Sequence, residues 1–183
     1  MEYMSDEEIF YEINEDVNRL EKFFNRKIYG YVTPFEYFSE RVVNCCKNIG
    51  LSYITNSFES HDFHYTSDPY HFSGTIFHLS PIFDETVNNF FNYDEELAWM
   101  GIIGHSYDLS VNNMWDKIEN ICKHVKSSDD ILSMTTHEFI LYIEAVKKLI
   151  IEDDFIFNSN DIDIFLSING ENFLLQKGSK LVF

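Results

Sequence analysis

From Asn48 to Asp116 the chain contains no lysine and no arginine. The same stretch holds ten acids: Glu59, Asp62, Asp68, Asp84, Glu85, Asp94, Glu95, Glu96, Asp108 and Asp116. A second stretch, Leu149 to Gln176, also lacks basic residues and holds Glu152, Asp153, Asp154, Asp161, Asp163 and Glu171. An unpaired carboxylate is costly to bury, so these side chains are expected in water. Any core has to come from the residues between them. Over all 183 residues, 31 Asp and Glu face 13 Lys and Arg, a formal charge of -18.

That imbalance narrows the function classes. Binding to DNA or RNA phosphates draws its affinity from Lys and Arg that displace counterions, so direct nucleic-acid binding is disfavoured. An anionic membrane surface is disfavoured on the same ground. A basic protein partner is favoured, because complementary fields speed encounter and reject wrong partners. Acidity also keeps an aromatic-rich chain in solution.

The material for a core is ample. Hydrophobic residues make up 45% of the chain, with 18 Phe and 11 Tyr, far more than a disordered chain offers. The length suits one domain, 1–183. No run approaches the ~20 apolar residues of a membrane span. The opening Met1-Glu2-Tyr3-Met4-Ser5-Asp6-Glu7-Glu8 lacks the basic start and apolar stretch of a secretory signal, so a cytoplasmic protein is expected. Cys45, Cys46 and Cys122 are odd in number and form no C-x-x-C pair, which favours reduced thiols.

Periodicity predicts about six helices. The first opens on a capping box, Ser5 with Glu8, and carries Ile9, Ile13, Val17, Leu20 and Phe24 on one face. The second is expected from a cap at Thr33, with Pro34 at its first position and Glu36 three after the cap, to Gly50. Its stripe is Phe35, Phe38, Val42, Cys45 and Ile49. Ser80-Pro81 opens a third, Asp94 to Tyr107 reads as a fourth, and Ser110 to Val125 as a fifth. The sixth starts at a second capping box, Thr135 with Glu138, and runs through Phe139, Ile143, Val146 and Ile150.

Residues 51–79 are rich in strand formers, and Asp68-Pro69 reads as a turn between two of the strands. Residues 162–168 alternate apolar and polar before Asn169-Gly170, the strongest short hairpin signal. Phe173 and Leu175 continue the return strand, and Leu181-Val182-Phe183 reads as a last one. The fold class is α+β: about six helices packed with a small antiparallel sheet, strands in 51–79 and 162–183. Pairing between these two regions would close one domain.

Catalytic motifs fail on inspection. His137-Glu138 lacks the second His that a zinc-protease helix needs at 141, which is Leu. Gly104-His105-Ser106-Tyr107-Asp108 has Asp where a nucleophile elbow needs Gly. Asn158 to Asp163 begins like a calcium loop but lacks its Gly and its terminal acid. With only seven Gly there is no phosphate-cradling loop, and no cofactor is expected. One cluster remains. His61, His64, His71 and His78 fall within twenty residues of one another, together with Glu59, Asp62 and Asp68. Imidazole and carboxylate are ligands for Zn²⁺ or Mn²⁺, although the spacing fits no known motif.

The leading expectation is a non-enzymatic, acidic inhibitor of the immunity, antitoxin or anti-defence kind. It would occlude a basic site on a nuclease or another nucleic-acid-handling protein, its carboxylates standing where phosphates bind. Large aromatics beside acids are the expected anchors: Asp62, Tyr65, Asp68, Tyr70, Tyr93, Asp94, Glu95 and Trp99. The alternatives are a metal-dependent enzyme or metal sensor built on His61–His78, and an acidic adaptor or structural subunit.

Overall fold

The computed structural model describes residues 1–94 and 97–183. The side chain of Glu36, read above as a capping partner, lies outside that description. The chain forms two compact units, Met1–Ser133 and Met134–Phe183. Six α-helices and ten short strands lie among the described residues, and the fold class is α+β.

In the first unit, α1 (Asp6–Phe24) begins at the expected capping box. Glu8 accepts from the Ser5 amide at 2.7 Å, and Ser5 Oγ accepts from the Glu8 amide at 3.2 Å. The chain then extends as β1 (Gly30–Val32) and reaches α2 (Glu40–Ile49) and β2 (Tyr53–Glu59). The second helix thus starts later than Thr33. The Thr33 amide is committed to a bond from the sheet, donating to Thr55 O at 3.0 Å. Its hydroxyl caps nothing, and Phe35 turns into the left-handed region at φ 52. Ser39 caps the helix instead, accepting from the Val42 amide. Gly50 ends the helix at φ 90, as the sequence suggests.

β1 pairs in parallel with β2, and β2 in parallel with β3 (Phe72–Gly74). The strands in 51–79 are therefore present, but their ladders are parallel where antiparallel pairing was expected. Parallel neighbours need a crossover. α2 supplies the first one, and residues 60–71 run back along the sheet to supply the second. That loop is held by short-range polar contacts such as the Asp68 carboxylate accepting from the Tyr70 amide, so Asp68-Pro69 starts a helical turn (Pro69–His71) rather than a hairpin. Gly30 is needed for close approach, since a Cβ there would fall 2.0 Å from the Tyr53 ring.

Ile9 and Ile13 of α1 meet Val42, Val43, Cys45 and Cys46 of α2, with Leu51 and Ile54 beneath them. Burial raises the thiol pKa of both cysteines, Cys46 to about 12, whereas Cys122 is exposed. A second cluster joins β4 (Ile76–Phe77) to α3 (Phe83–Phe91) through Ile76, Phe83 and Val87.

Of the expected helix over Asp94–Tyr107, only the last two residues, Ser106 and Tyr107, are helical among the described residues. Residues 97–105 form no helix, and within them β5 (Ile102–Ile103) pairs in parallel with β4. Gly101 and Gly104 weaken a helix here, and the Gly101 carbonyl accepts from the Thr75 amide at 2.7 Å. The helix that follows is split into α4 (Ser106–Val111) and α5 (Trp115–Ser127), broken where Asn113 adopts φ 53.

The second unit opens with α6 (Thr136–Lys147), which carries the predicted Thr135–Glu138 capping box. The helix stops before Ile150, which is exposed on β6 (Ile150–Glu152) rather than buried on the helical stripe. β6 forms a hairpin with β7 (Phe155–Phe157) around Asp153-Asp154, and β10 (Lys180–Val182) pairs with the other edge of β7. β8 (Ile164–Ile168) and β9 (Glu171–Leu175) form the predicted antiparallel hairpin, with Asn169 at φ 53 and Gly170 at φ 82, as a type I′ turn demands. No ladder among the described residues joins 51–79 to 162–183.

Asn158 organises this unit. It is wholly buried. Its Nδ2 donates to the carbonyls of Ile162 at 2.8 Å and Leu175 at 3.1 Å, and its Oδ1 accepts from the Asn160 amide. The segment that begins like a calcium loop is therefore a buried hydrogen-bond hub.

Two substitutions test this account by urea denaturation. Ile54→Ala should cost about 2–5 kcal/mol through the cavity it leaves. Asn158→Ala should cost on the order of 2–3 kcal/mol, because the buried Leu175 carbonyl and the part-buried Ile162 carbonyl lose their donor.

Candidate partner-binding surface

The decisive question is what answers the carboxylates. Of the eight described acids between Asn48 and Asp116, only Asp84 forms an ion pair with Lys or Arg among the described residues, with Lys117 Nζ at 2.8 Å, while Lys47 acts on Asp68 through its charge. Four others are met by histidine. His61 lies 3.5 Å from Glu59, His64 lies 3.8 Å from Asp62, and His71 lies 2.7 Å from Asp68. Asp108 lies 3.8 Å from His78 and 3.4 Å from His105. Glu85, Asp94 and Asp116 are exposed and have no ion pair among the described residues. In the second unit Glu152, Asp153, Asp154, Asp161, Asp163 and Glu171 are all exposed and likewise form no ion pair there.

The four histidines are thus distributed to separate carboxylates. Among the described residues, no group of three or more His, Cys, Asp or Glu side chains is arranged to hold a metal ion. His78 is only 3% exposed. Its Nδ1 is 3.1 Å from the Ile103 carbonyl, and its ring fills the space that a Cβ on Gly104 would need. It packs where the loop after β5 crosses β4.

His71 is held from both sides. Nδ1 faces Asp68 and Nε2 faces Glu40 of α2 at 3.0 Å. A neutral imidazole has one N–H, so satisfying both carboxylates requires the protonated ring. Partial burial is the largest influence on this ring and lowers its pKa, but hydrogen bonds from Glu40 and Asp68 outweigh it and the net shift is upward. Asp68 shows the mirror case. Burial pushes it up, but the Tyr70 amide and His71 bring it below its ordinary value.

The sequence-predicted anchors divide into two groups. Around Phe63, the Tyr93 ring packs edge-on at 5.2 Å, and the Trp99 amide donates to the Phe63 carbonyl at 2.8 Å. Trp99 also packs on Phe72, ring centroids 5.0 Å apart. Asp62 is exposed on the same loop, where it accepts from the His64 amide. Asp68 and Tyr70 sit towards α2, with the Tyr70 hydroxyl donating to Leu51 O at 2.8 Å and Lys47 lying over its ring. Tyr65 is half-buried, Asp94 is exposed, and Glu95 lies outside the described residues.

The most exposed aromatics are elsewhere. Phe35 is 101% exposed, Tyr3 95% and Phe23 80%, and Tyr107, Phe183, Tyr11 and Trp115 are each more than half exposed. No sequence signal separates these from buried aromatics of the same type. Tyr11 does fall off the Ile9–Ile13 stripe, which is the one hint available. No helix among the described residues is long and apolar enough to cross a membrane. Comparison with protein-family models, curated proteins and solved structures finds no match.

The His71 arrangement predicts a pH dependence. A raised histidine pKa stabilises fully below the unfolded value of 6.5 and fades as pH climbs through the folded one. A lowered Asp68 stabilises above 3.8 and fades as pH falls. Between about pH 5.5 and about pH 8.5 the wild type should therefore lose more stability than His71→Gln. Urea midpoints at the two pH values measure this, and parallel losses in both proteins would refute it.

Proposed function

We propose that this protein is an acidic, cytoplasmic, protein-binding inhibitor of the immunity, antitoxin or anti-defence kind. It blocks a basic, nucleic-acid-handling partner. The observation that carries the reading is the near-absence of Lys and Arg beside the carboxylates of the two base-free stretches. An exposed acid without a cationic neighbour keeps its field available to a partner. Free thiols at Cys45, Cys46 and Cys122 suit a reducing compartment.

The energetic side is supplied by apolar area. Charge complementarity governs encounter and specificity more than affinity, and buried aromatics dominate the binding energy of most interfaces. Tyr11, Phe35, Tyr107 and Trp115 are exposed on the first unit, and Tyr11, Tyr107 and Trp115 immediately precede Glu12, Asp108 and Asp116 in the chain. Such a surface resembles nucleic acid in pairing negative charge with flat rings. A basic nuclease cleft would meet both.

Kinetics with a partner captured from the native cell test this. The association rate should fall at least about tenfold as salt rises from about 0.05 M to about 0.5 M. Duplex DNA or RNA should compete for the same partner. A salt-insensitive association rate, or a partner that binds this protein and nucleic acid at once, would sink the proposal.

A further inference from the structure

We propose that the outer edge of β9 takes up an extended, lysine- or arginine-bearing strand of the partner, which lengthens the β8–β9 sheet through main-chain hydrogen bonds. The cationic character of that strand rests on the inhibitor reading above. The edge itself follows from the ladder.

Register decides which main-chain groups are free. Opposed residues of an antiparallel ladder alternate between pairs that exchange both hydrogen bonds and pairs that exchange none. Ile168 lies opposite Glu171 at the turn, followed by Ser167–Asn172, Leu166–Phe173, Phe165–Leu174 and Ile164–Leu175. The Phe165 amide donates to the Tyr142 hydroxyl at 2.9 Å, so Phe165–Leu174 is a pair that exchanges none. Ser167–Asn172 shares its phase. The amides and carbonyls of Asn172 and Leu174 therefore point away from β8.

The two edges of the hairpin are treated differently. On β8 a buried phenol closes the edge at Phe165. Tyr142 Oη accepts from the Phe165 amide and donates to the Phe165 carbonyl at 3.5 Å. On β9 no strand among the described residues lies along the edge, and Asn172 and Leu174 are both exposed. The usual guards of a free edge are missing, because Glu171–Leu175 contains no proline, no lysine and no bulge. The other strands with an open side are two or three residues long, so β9 offers the longest open edge among the described residues.

The occupant follows from what this edge presents. Outward amides and carbonyls at every second residue are answered by another extended main chain, whereas a helix has already bonded its own. Leu174 is 50% exposed and its cross-strand neighbour Phe165 51%, on the face opposite the buried Ile164 and Leu175. A side chain of the added strand beside Leu174 extends that apolar pair. Charge sets the rest. Glu171 opens β9, and Asp163 directly precedes Ile164, the residue across from the end of β9. Both acids are exposed and form no ion pair among the described residues. A strand carrying a cation at each end is attracted, whereas a second copy of this chain, at a formal charge of -18, is repelled.

The test follows amide exchange by NMR in the full chain, with and without a short peptide of alternating valine and threonine that carries lysine at each end. In the free protein Asn172 and Leu174 should exchange quickly, while Phe173 and Leu175, bonded to β8, exchange slowly. The peptide should slow exchange at Asn172 and Leu174 by at least about tenfold. The same peptide ended in glutamate should slow it far less. Leu174→Pro should keep the hairpin, since the lost N–H faces outward, and should weaken peptide binding by about tenfold, with circular dichroism as the check on folding. No protection at the two amides, equal protection by both peptides, or protection in the free protein that grows with its own concentration overturns the partner strand. Each of these leaves the inhibitor reading standing, because salt-dependent association reports the whole surface. A salt-insensitive partner sinks that reading while the edge still takes up the peptide.

Discussion

Carboxylate repulsion is the constraint under which this chain folds. With 31 acids and 13 basic residues, salt bridges cannot balance the charge. The structure turns instead to backbone amides. Glu8 and Glu138 close capping boxes, Asp62 and Asp68 accept from amides two residues on, and Glu21 accepts from the Ile28 amide. Glu59 accepts from the Phe77 amide, and Asp163 from that of Lys177. Each such bond orders a turn or a helix start and leaves part of the carboxylate in water. Acids that repel one another at long range thus hold the chain at short range.

The apolar interior is correspondingly local. The first unit rests on two helices laid against a parallel sheet and on a separate cluster around Ile76. The second is too small for a large core, and its α6 residues Phe139, Ile140 and Ile143 are supplemented by the Asn158 hub. A fully satisfied buried amide specifies one arrangement of its strands, because any other leaves its donors without acceptors.

What the sequence reveals about the fold follows the range of the interactions. Both capping boxes and the Asn169-Gly170 hairpin are legible because their signals lie within four residues. The direction of β2 and β3 is not, because it depends on β1, a three-residue strand that the Thr33-Pro34 helix signal hides. Gly101-Ile102-Ile103-Gly104 fits a helical stripe as well as a strand, and the vacant edge of β4 decides the matter. The surface divides in the same way. Exposure of the acids is legible from the cost of burying charge. The packing of Trp99 on Phe72 and the projection of Phe35 are set by tertiary contacts and a backbone twist that composition does not encode.

The adjacent cysteines have a practical corollary. With Cys45 and Cys46 sealed between α1 and α2 and Cys122 facing outward, the folded molecule offers a single sulfhydryl to an alkylating reagent. A fluorophore or spin label would therefore attach at one defined place on α5. The count of modified sulfurs per chain would serve as a gauge of how intact the α1–α2 packing is.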